Sequence, residues 1–258
     1  MTDTPTEPVI SSAKPTANFF SKTNIALALA ASAFVLAAAP YVVPQVQSLI
    51  VRGGVLSGPK VLEDGYEALQ AHNEAEAAKA FETAYKANES VLIHPEDPIL
   101  GNPNAPITIV EFQDYLCGYC RRIAPQLATF LKENPDVRIV VKEYPVITQN
   151  SRLLAALALA TRDSGKYEAV HNAIYAVDLK SDEDVNALLS SVGLNPAEII
   201  AKSQSAEVQG HIDETLKMGN SLGLTGTPAF IIDGVLVGGA DMKQIETLVA
   251  TQRSKAKG

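Results

Sequence analysis

Apolar residues along this chain recur in two rhythms, broken by short uninterrupted runs. The runs Ile107 to Phe112 and Val137 to Tyr144 are rich in β-branched residues and predict buried strands. Between them, Ile123, Leu127, Phe130 and Leu131 fall on one face of a helix, which Pro125 should kink. Strand, helix and strand make a βαβ unit, which a right-handed crossover closes into a parallel pair. From about Ser151 the pattern turns helical, with segments over 153–161 and 166–176. A capping pattern at Ser181 to Asp184 precedes another helix, and Gly193 and Asn195-Pro196 separate it from the next. A helical insert thus spans about 151–222. Ala229 to Ile232, the turn Asp233-Gly234 and Val235 to Val237 predict a hairpin. A last helix runs from about Asp241 to Gln252, with Met242, Ile245, Leu248 and Val249 inward. His94 to Pro106 is dense in turn formers and reads as the approach to the first strand.

The N-terminal third has a different texture. Residues 1–24 are polar and read as a disordered tail. Ile25 to Val43 carries no charge and has the length of a membrane span, about 20 residues. An uncleaved anchor is preferred to a cleaved signal peptide, because Pro40 comes directly after the small-residue site Ala37 to Ala39. A buried core helix is the third reading. Residues 44–60, with Pro44, Gly53, Gly54 and Gly58, form a linker. Over 61–93, Leu62, Tyr66, Leu69, Phe81 and Tyr85 mark one stripe of a long amphipathic helix. That helix either docks on the domain at 94–258 or pairs with copies of itself, and self-association is preferred.

The formal net charge is −8, with no basic patch, so nucleic-acid binding has no support. The two cysteines are Cys117 and Cys120, where the first strand hands over to its helix. A thiol there meets the unpaired N–H groups of the first helical turn, and its pKa falls. The two-residue spacing lets Cys120 close a disulfide with Cys117, so Cys117 attacks and Cys120 resolves. No third cysteine is present and His72, His94, His171 and His211 are scattered, which disfavours a zinc centre. Arg121 stands where haem attachment would need a histidine. A redox dithiol is therefore the reading, with no metal and no cofactor implied. His171 reads as a surface or packing residue rather than a catalyst.

The order strand, Cys-x-x-Cys, helix, strand, helical insert, Gly-x-Thr-Pro, hairpin and helix resembles the DsbA type of thioredoxin-fold protein. Gly101 to Arg122, including Cys117-Gly118-Tyr119-Cys120, is similar to DsbA-like proteins of the suppressor-of-copper-sensitivity group, ScsC. The likeness is strong over 94–258 and looser over the helix before it. The fold expected is α/β: a thioredoxin-like domain with a helical insert, preceded by a transmembrane or signal helix and the amphipathic helix. The resemblance implies that Thr227-Pro228 is a cis-proline loop that, with Tyr119, meets a bound peptide; a trans proline at a strand start is the alternative. It implies that Glu111 is a buried acid under the dithiol and that Lys142 pairs with it. Glu111 shares a strand face with Ile107 and Ile109, so burial should raise its pKa. A solvated edge pair is the other reading of both charges.

These implications predict a thiol–disulfide oxidoreductase acting on exported proteins in the bacterial periplasm, held at the inner membrane by 25–43. They also predict a membrane redox partner and a homo-oligomer built through 61–93. Gly118-Tyr119 and Thr227 resemble disulfide isomerases such as DsbC more than the oxidase DsbA, so isomerase or reductase is preferred. An oxidase, and a thiol protein that holds copper for metal tolerance, are the alternatives.

Overall fold

The structure, a computed structural model, describes residues 48, 51–53 and 58–255. The predicted tail, the apolar run at 25–43 and most of the linker lie outside the described residues. No helix among the described residues is long and apolar enough to cross a membrane. The chain divides into two compact units, Met1–His72 and Asn73–Gly258.

Helix α1, Pro59–Asn88, crosses that boundary. In its first half Val61, Leu62, Tyr66 and Leu69 are all exposed. In its second half Phe81 is buried against the sheet of the second unit, with Ala84 and Tyr85 beside it. Docking therefore describes the end of the predicted helix, while the apolar residues at its start remain on the surface.

The second unit is built on a five-stranded sheet of β1 (Ile99–Gly101), β2 (Ile107–Gln113), β3 (Val137–Glu143), β4 (Ala229–Ile232) and β5 (Val235–Gly238). The spatial order is β1-β3-β2-β4-β5. The pair β2–β3 is parallel, as the βαβ reading required, and the other three pairings are antiparallel. Between β2 and β3 runs α2, Gly118–Glu133, with Pro125 inside it. The insert comprises α3 (Gln149–Leu159), α4 (Tyr167–Ala176), α5 (Asp182–Ser191), α6 (Pro196–Ser203) and α7 (Ala206–Ser221). Ser181 and Asp184 form the expected capping box on α5, and Asn195 caps α6 ahead of Pro196. The hairpin turn places Asp233 at φ 51° and Gly234 at φ 76°, the paired positive angles of a tight two-residue turn. Helix α8, Met242–Lys255, closes the chain with Ile245 and Val249 buried.

Strand alternation sorts the core into two layers. Ile109, Val137, Ile139, Val141, Phe230 and Ile232 pack toward α2, α8 and the insert. Val110, Phe112, Val140, Tyr144 and Ile231 face the other way, with Phe81, Leu92, Leu222 and Leu224. Gly219 of α7 reaches this second layer because a Cβ there would lie 2.4 Å from the Tyr144 ring.

The register corrects one expectation. Glu111 lies opposite Val141, and Lys142 lies opposite Phe112. Lys142 therefore belongs to the Phe112 layer and Glu111 to the other, so the sheet separates them. Lys142 instead pairs with Asp97, both side chains being buried. β1 is a further departure, since three residues within the turn-rich approach add an edge strand to β3.

Candidate active site

Cys117 is the N-cap of α2, with extended backbone at φ −75° and ψ 119°. Asp114 builds the approach to it. The Asp114 carboxylate accepts from the N–H of Leu116 at 2.8 Å, of Val146 at 2.9 Å and of Ile147 at 3.0 Å. Its carbonyl accepts from the Cys117 N–H at 3.0 Å. One buried side chain thus fixes both the loop before the cysteine and the loop after β3.

The Thr227–Pro228 bond is cis, which settles the proline alternative. The Cys117 thiol donates to the Thr227 carbonyl at 3.1 Å. Both cysteines are free thiols, and both are buried, Cys120 at 1% exposure and Cys117 at 7%. Burial pushes the Cys117 thiol up, but hydrogen bonds from the Thr227 side chain and the first-turn N–H groups of Cys120 and Tyr119 outweigh it and leave its pKa lowered. Cys120 has the opposite balance. Burial raises it strongly, and the charges of Cys117 and Glu111 raise it further. The pair therefore contains one acidic thiol at the helix start and one reluctant thiol a turn deeper.

Glu111 lies beneath them, 3% exposed, with its Oε2 lacking any hydrogen-bond partner among the described residues. Burial pushes its carboxyl up to about 8. Tyr119 is exposed, and the Arg122 guanidinium stacks 4.5 Å from its ring centre. Leu116, Val146 and Ile147 are exposed apolar residues on the loops that Asp114 holds. The structure thus brings Cys117, Cys120, Glu111, Thr227 and Pro228 together, with Tyr119 at the rim. Lys142 is not among them.

Sequence reasoning missed a second acid on the Glu111 layer. Glu143 is fully buried and accepts from Gln113 Nε2 at 2.6 Å, Tyr115 Oη at 3.0 Å and Tyr167 Oη at 2.5 Å. His171 Nδ1 is 3.0 Å from the Tyr115 hydroxyl, and Tyr175 donates to Gln113. Burial pushes Glu143 up to about 8, with the two tyrosine hydroxyls pulling the other way. Burial also lowers His171 to about 3, so it is a neutral packing residue, as its sequence context implied. The available signal was the i, i+4, i+8 spacing of Tyr167, His171 and Tyr175, which puts three rings on one face of α4. Arg121 ties that helix to α2 by donating to the carbonyls of Tyr175 at 2.6 Å and Val177 at 3.1 Å.

Residues 108–250 match the DSBA-like thioredoxin domain. The chain belongs to that family. Its DsbA-like domain accordingly has the thioredoxin fold. A thioredoxin-like oxidoreductase from Silicibacter pomeroyi is 34% identical, with 64% of this chain and 97% of that one covered and a TM-score of 0.60. Proteus mirabilis ScsC in a transitional conformation has a TM-score of 0.59 at 24% identity, covering 82% of this chain and 96% of that one, and shows the shared fold. Among curated proteins, the Na(+)/H(+) antiporter NhaA 3 of Salinispora tropica is 23% identical over 163 residues, 55% of this chain and 23% of that protein. This DsbA-like chain thus spans about a quarter of that curated relative, and the match carries no transport activity over.

Proposed function

We propose that this protein is a disulfide isomerase or reductase of exported proteins, working through the Cys117/Cys120 dithiol. The carrying observation is the Cys117 sulfur at the head of α2, 3.1 Å from the Thr227 carbonyl. The Cys117 thiolate attacks one sulfur of a client disulfide; a mixed disulfide forms and the other client sulfur leaves as thiolate. That client thiolate, or another in the same client, then attacks the mixed disulfide and releases Cys117, which is isomerisation. If Cys120 attacks Cys117 instead, the client leaves reduced and the protein holds the Cys117–Cys120 disulfide. Glu111 takes the proton that Cys120 must shed for that attack and returns it in the reverse direction; its burial and its electrostatic effect on Cys120 support this role. Thr227 offers its backbone to a client strand beside the reacting sulfur, and Tyr119 with Leu116, Val146 and Ile147 supplies apolar contact.

In this reading 25–43 anchors the chain at the inner membrane, the domain faces the periplasm, and a membrane redox partner keeps the dithiol reduced. A solved relative from Salmonella enterica serovar Typhimurium is described as a periplasmic thioredoxin-like protein, which supports that placement. The exposed Leu62, Tyr66 and Leu69 support self-association through α1. The test compares refolding of a scrambled-disulfide substrate with oxidation of a reduced dithiol peptide. Isomerisation faster than oxidation, lost in Cys117→Ser, is the expected result. Fast peptide oxidation without reactivation of the scrambled substrate would make the protein an oxidase instead.

A further inference from the structure

Beyond the dithiol, the Lys142 side of the sheet holds a second chemical cluster. His94 and Glu96 lie on the turn before β1, and His211 lies on α7. One potential ligand atom from each of the three lies within 4.8 Å of the others. We propose that His94, Glu96 and His211 form a binding site for a divalent cation of borderline softness, with Zn2+ as its representative.

Two nitrogens and one carboxylate oxygen are a donor set suited to such an ion, which needs ligands at about 2.0–2.2 Å. The turn is already shaped for it. The Asp97 carboxylate accepts from the His94 N–H at 2.6 Å, and the Asp97 N–H donates to the His94 carbonyl at 3.0 Å. His211 is 6% exposed, and its Nε2 lies 3.1 Å from Asp97 Oδ1. A carboxylate behind a ligating imidazole holds the ring in orientation and raises its basicity. The two imidazoles meet edge to face with centroids 5.5 Å apart. Glu96 gives Oε2 to Arg162 at 2.9 Å, leaving Oε1 for coordination. The Glu96 N–H contacts His94 Nδ1 at 3.2 Å, and coordination through that nitrogen would replace this contact.

His94 and His211 line a cavity of about 230 Å³, whose wall also includes Asp97, Lys142 and Glu214. The Lys142 ammonium does not oppose a cation there, because Asp97 already neutralises it. A water would complete four-coordination. An ion so held would fasten the turn that leads into β1 to helix α7 of the insert. It would do so on the opposite side of the sheet from Glu111 and Cys120.

The experiment is calorimetric titration of Zn2+ into the untagged full chain in a Cys117→Ser/Cys120→Ser background, which serves as wild type for this site. Wild type should bind one Zn2+ per chain, with a rise in melting temperature. His94→Ala and Glu96→Ala alter exposed side chains, so the fold is retained. Each should weaken binding by at least about tenfold and abolish the thermal shift. Absence of a one-to-one site, or equal affinity in both variants, would overturn the proposal. Thiol–disulfide exchange, measured separately on protein with both cysteines, is unaffected by either outcome.

Discussion

The two layers of the sheet treat buried charge in opposite ways. On one, Lys142 and Asp97 form an ion pair in a cavity wall, Asp97 also accepts from the His94 N–H, and His211 Nε2 lies 3.1 Å from its other oxygen. On the other, Glu111 and Glu143 are buried with no cation bonded to them among the described residues. Glu143 is surrounded by neutral donors, and one Glu111 oxygen has none. A paired charge in a low-dielectric site holds structure together, whereas an unpaired acid holds its proton and can exchange it near neutral pH. The layer with the unpaired acids is the one beneath the dithiol. Paired and unpaired buried charge are thus divided between the two faces of one strand, within the adjacent residues Lys142 and Glu143.

The largest effect expected from breaking this division is on the paired side. Lys142→Met removes one partner and leaves the Asp97 carboxylate buried, so stability should fall by about 3–5 kcal/mol. Urea unfolding at fixed pH measures it. A loss below about 1 kcal/mol would show that the pair is not what holds this layer.

Glu111→Gln should act in the other direction. A carboxyl at about 8 in the folded chain and 4.5 unfolded binds its proton more tightly when folded. Its stabilising effect is complete below pH 4.5 and fades as pH rises toward 8. The variant should therefore be more stable than wild type at pH 8, by roughly 2–5 kcal/mol, and nearly equal at pH 4.5. Part of the decline should persist in the variant, because Glu143 also lies at about 8. Urea midpoints across this pH range test the sign. A variant less stable than wild type at pH 8 would mean that Glu111 is ionised and paired after all.

Tyr167→Phe tests the neutral donors. It removes the 2.5 Å bond to Glu143 and leaves that oxygen with Tyr115 alone. A loss of about 1–3 kcal/mol is expected, smaller than for the ion pair, because no charge is stranded in the protonated form.

How much of this arrangement could be read in the sequence obeys the same division. Cys117 was legible because a strand–helix junction encodes it locally, and the burial of Glu111 because it follows a period of two; the place of Glu111 under the dithiol and the cis Thr227-Pro228 loop were implied only by the resemblance to DsbA-like proteins. The Lys142 partner was not legible. Adjacent residues of a strand point to opposite faces, and the register between β2 and β3 is fixed by long-range pairing that no local pattern reports. Asp97 was hidden for a related reason, since it sits in a Pro-rich turn whose role appears only when β1 adds to β3. Asp114 was hidden too, because two of the three N–H groups on its carboxylate, those of Val146 and Ile147, come from the loop after β3. The Glu143 network draws on β2, β3, the loop after β2 and α4, so its ring stripe was visible but its centre was not.

The smallest expected effect separates the two layers most cleanly. The acidity of Cys117 is set by burial, which raises its pKa, against hydrogen bonds from the Thr227 side chain, the Cys120 N–H and thiol and the Tyr119 N–H, all at the start of α2 and the loop facing it. Lys142 is on the other layer, and the sheet lies between them. The pH dependence of Cys117 alkylation in reduced Lys142→Met should then superimpose on that of wild type, although the variant has lost several kcal/mol of stability. In both proteins Cys120 should resist alkylation while folded, since burial raises its thiol far above the ordinary range. A displacement of one unit in the Cys117 profile, about 1.4 kcal/mol of differential interaction, would mean that charge on the far layer is felt at the dithiol. The same experiment also separates unfolding from electrostatics. Partial unfolding would expose Cys120 to the reagent as well, whereas a charge effect through the sheet would move Cys117 alone.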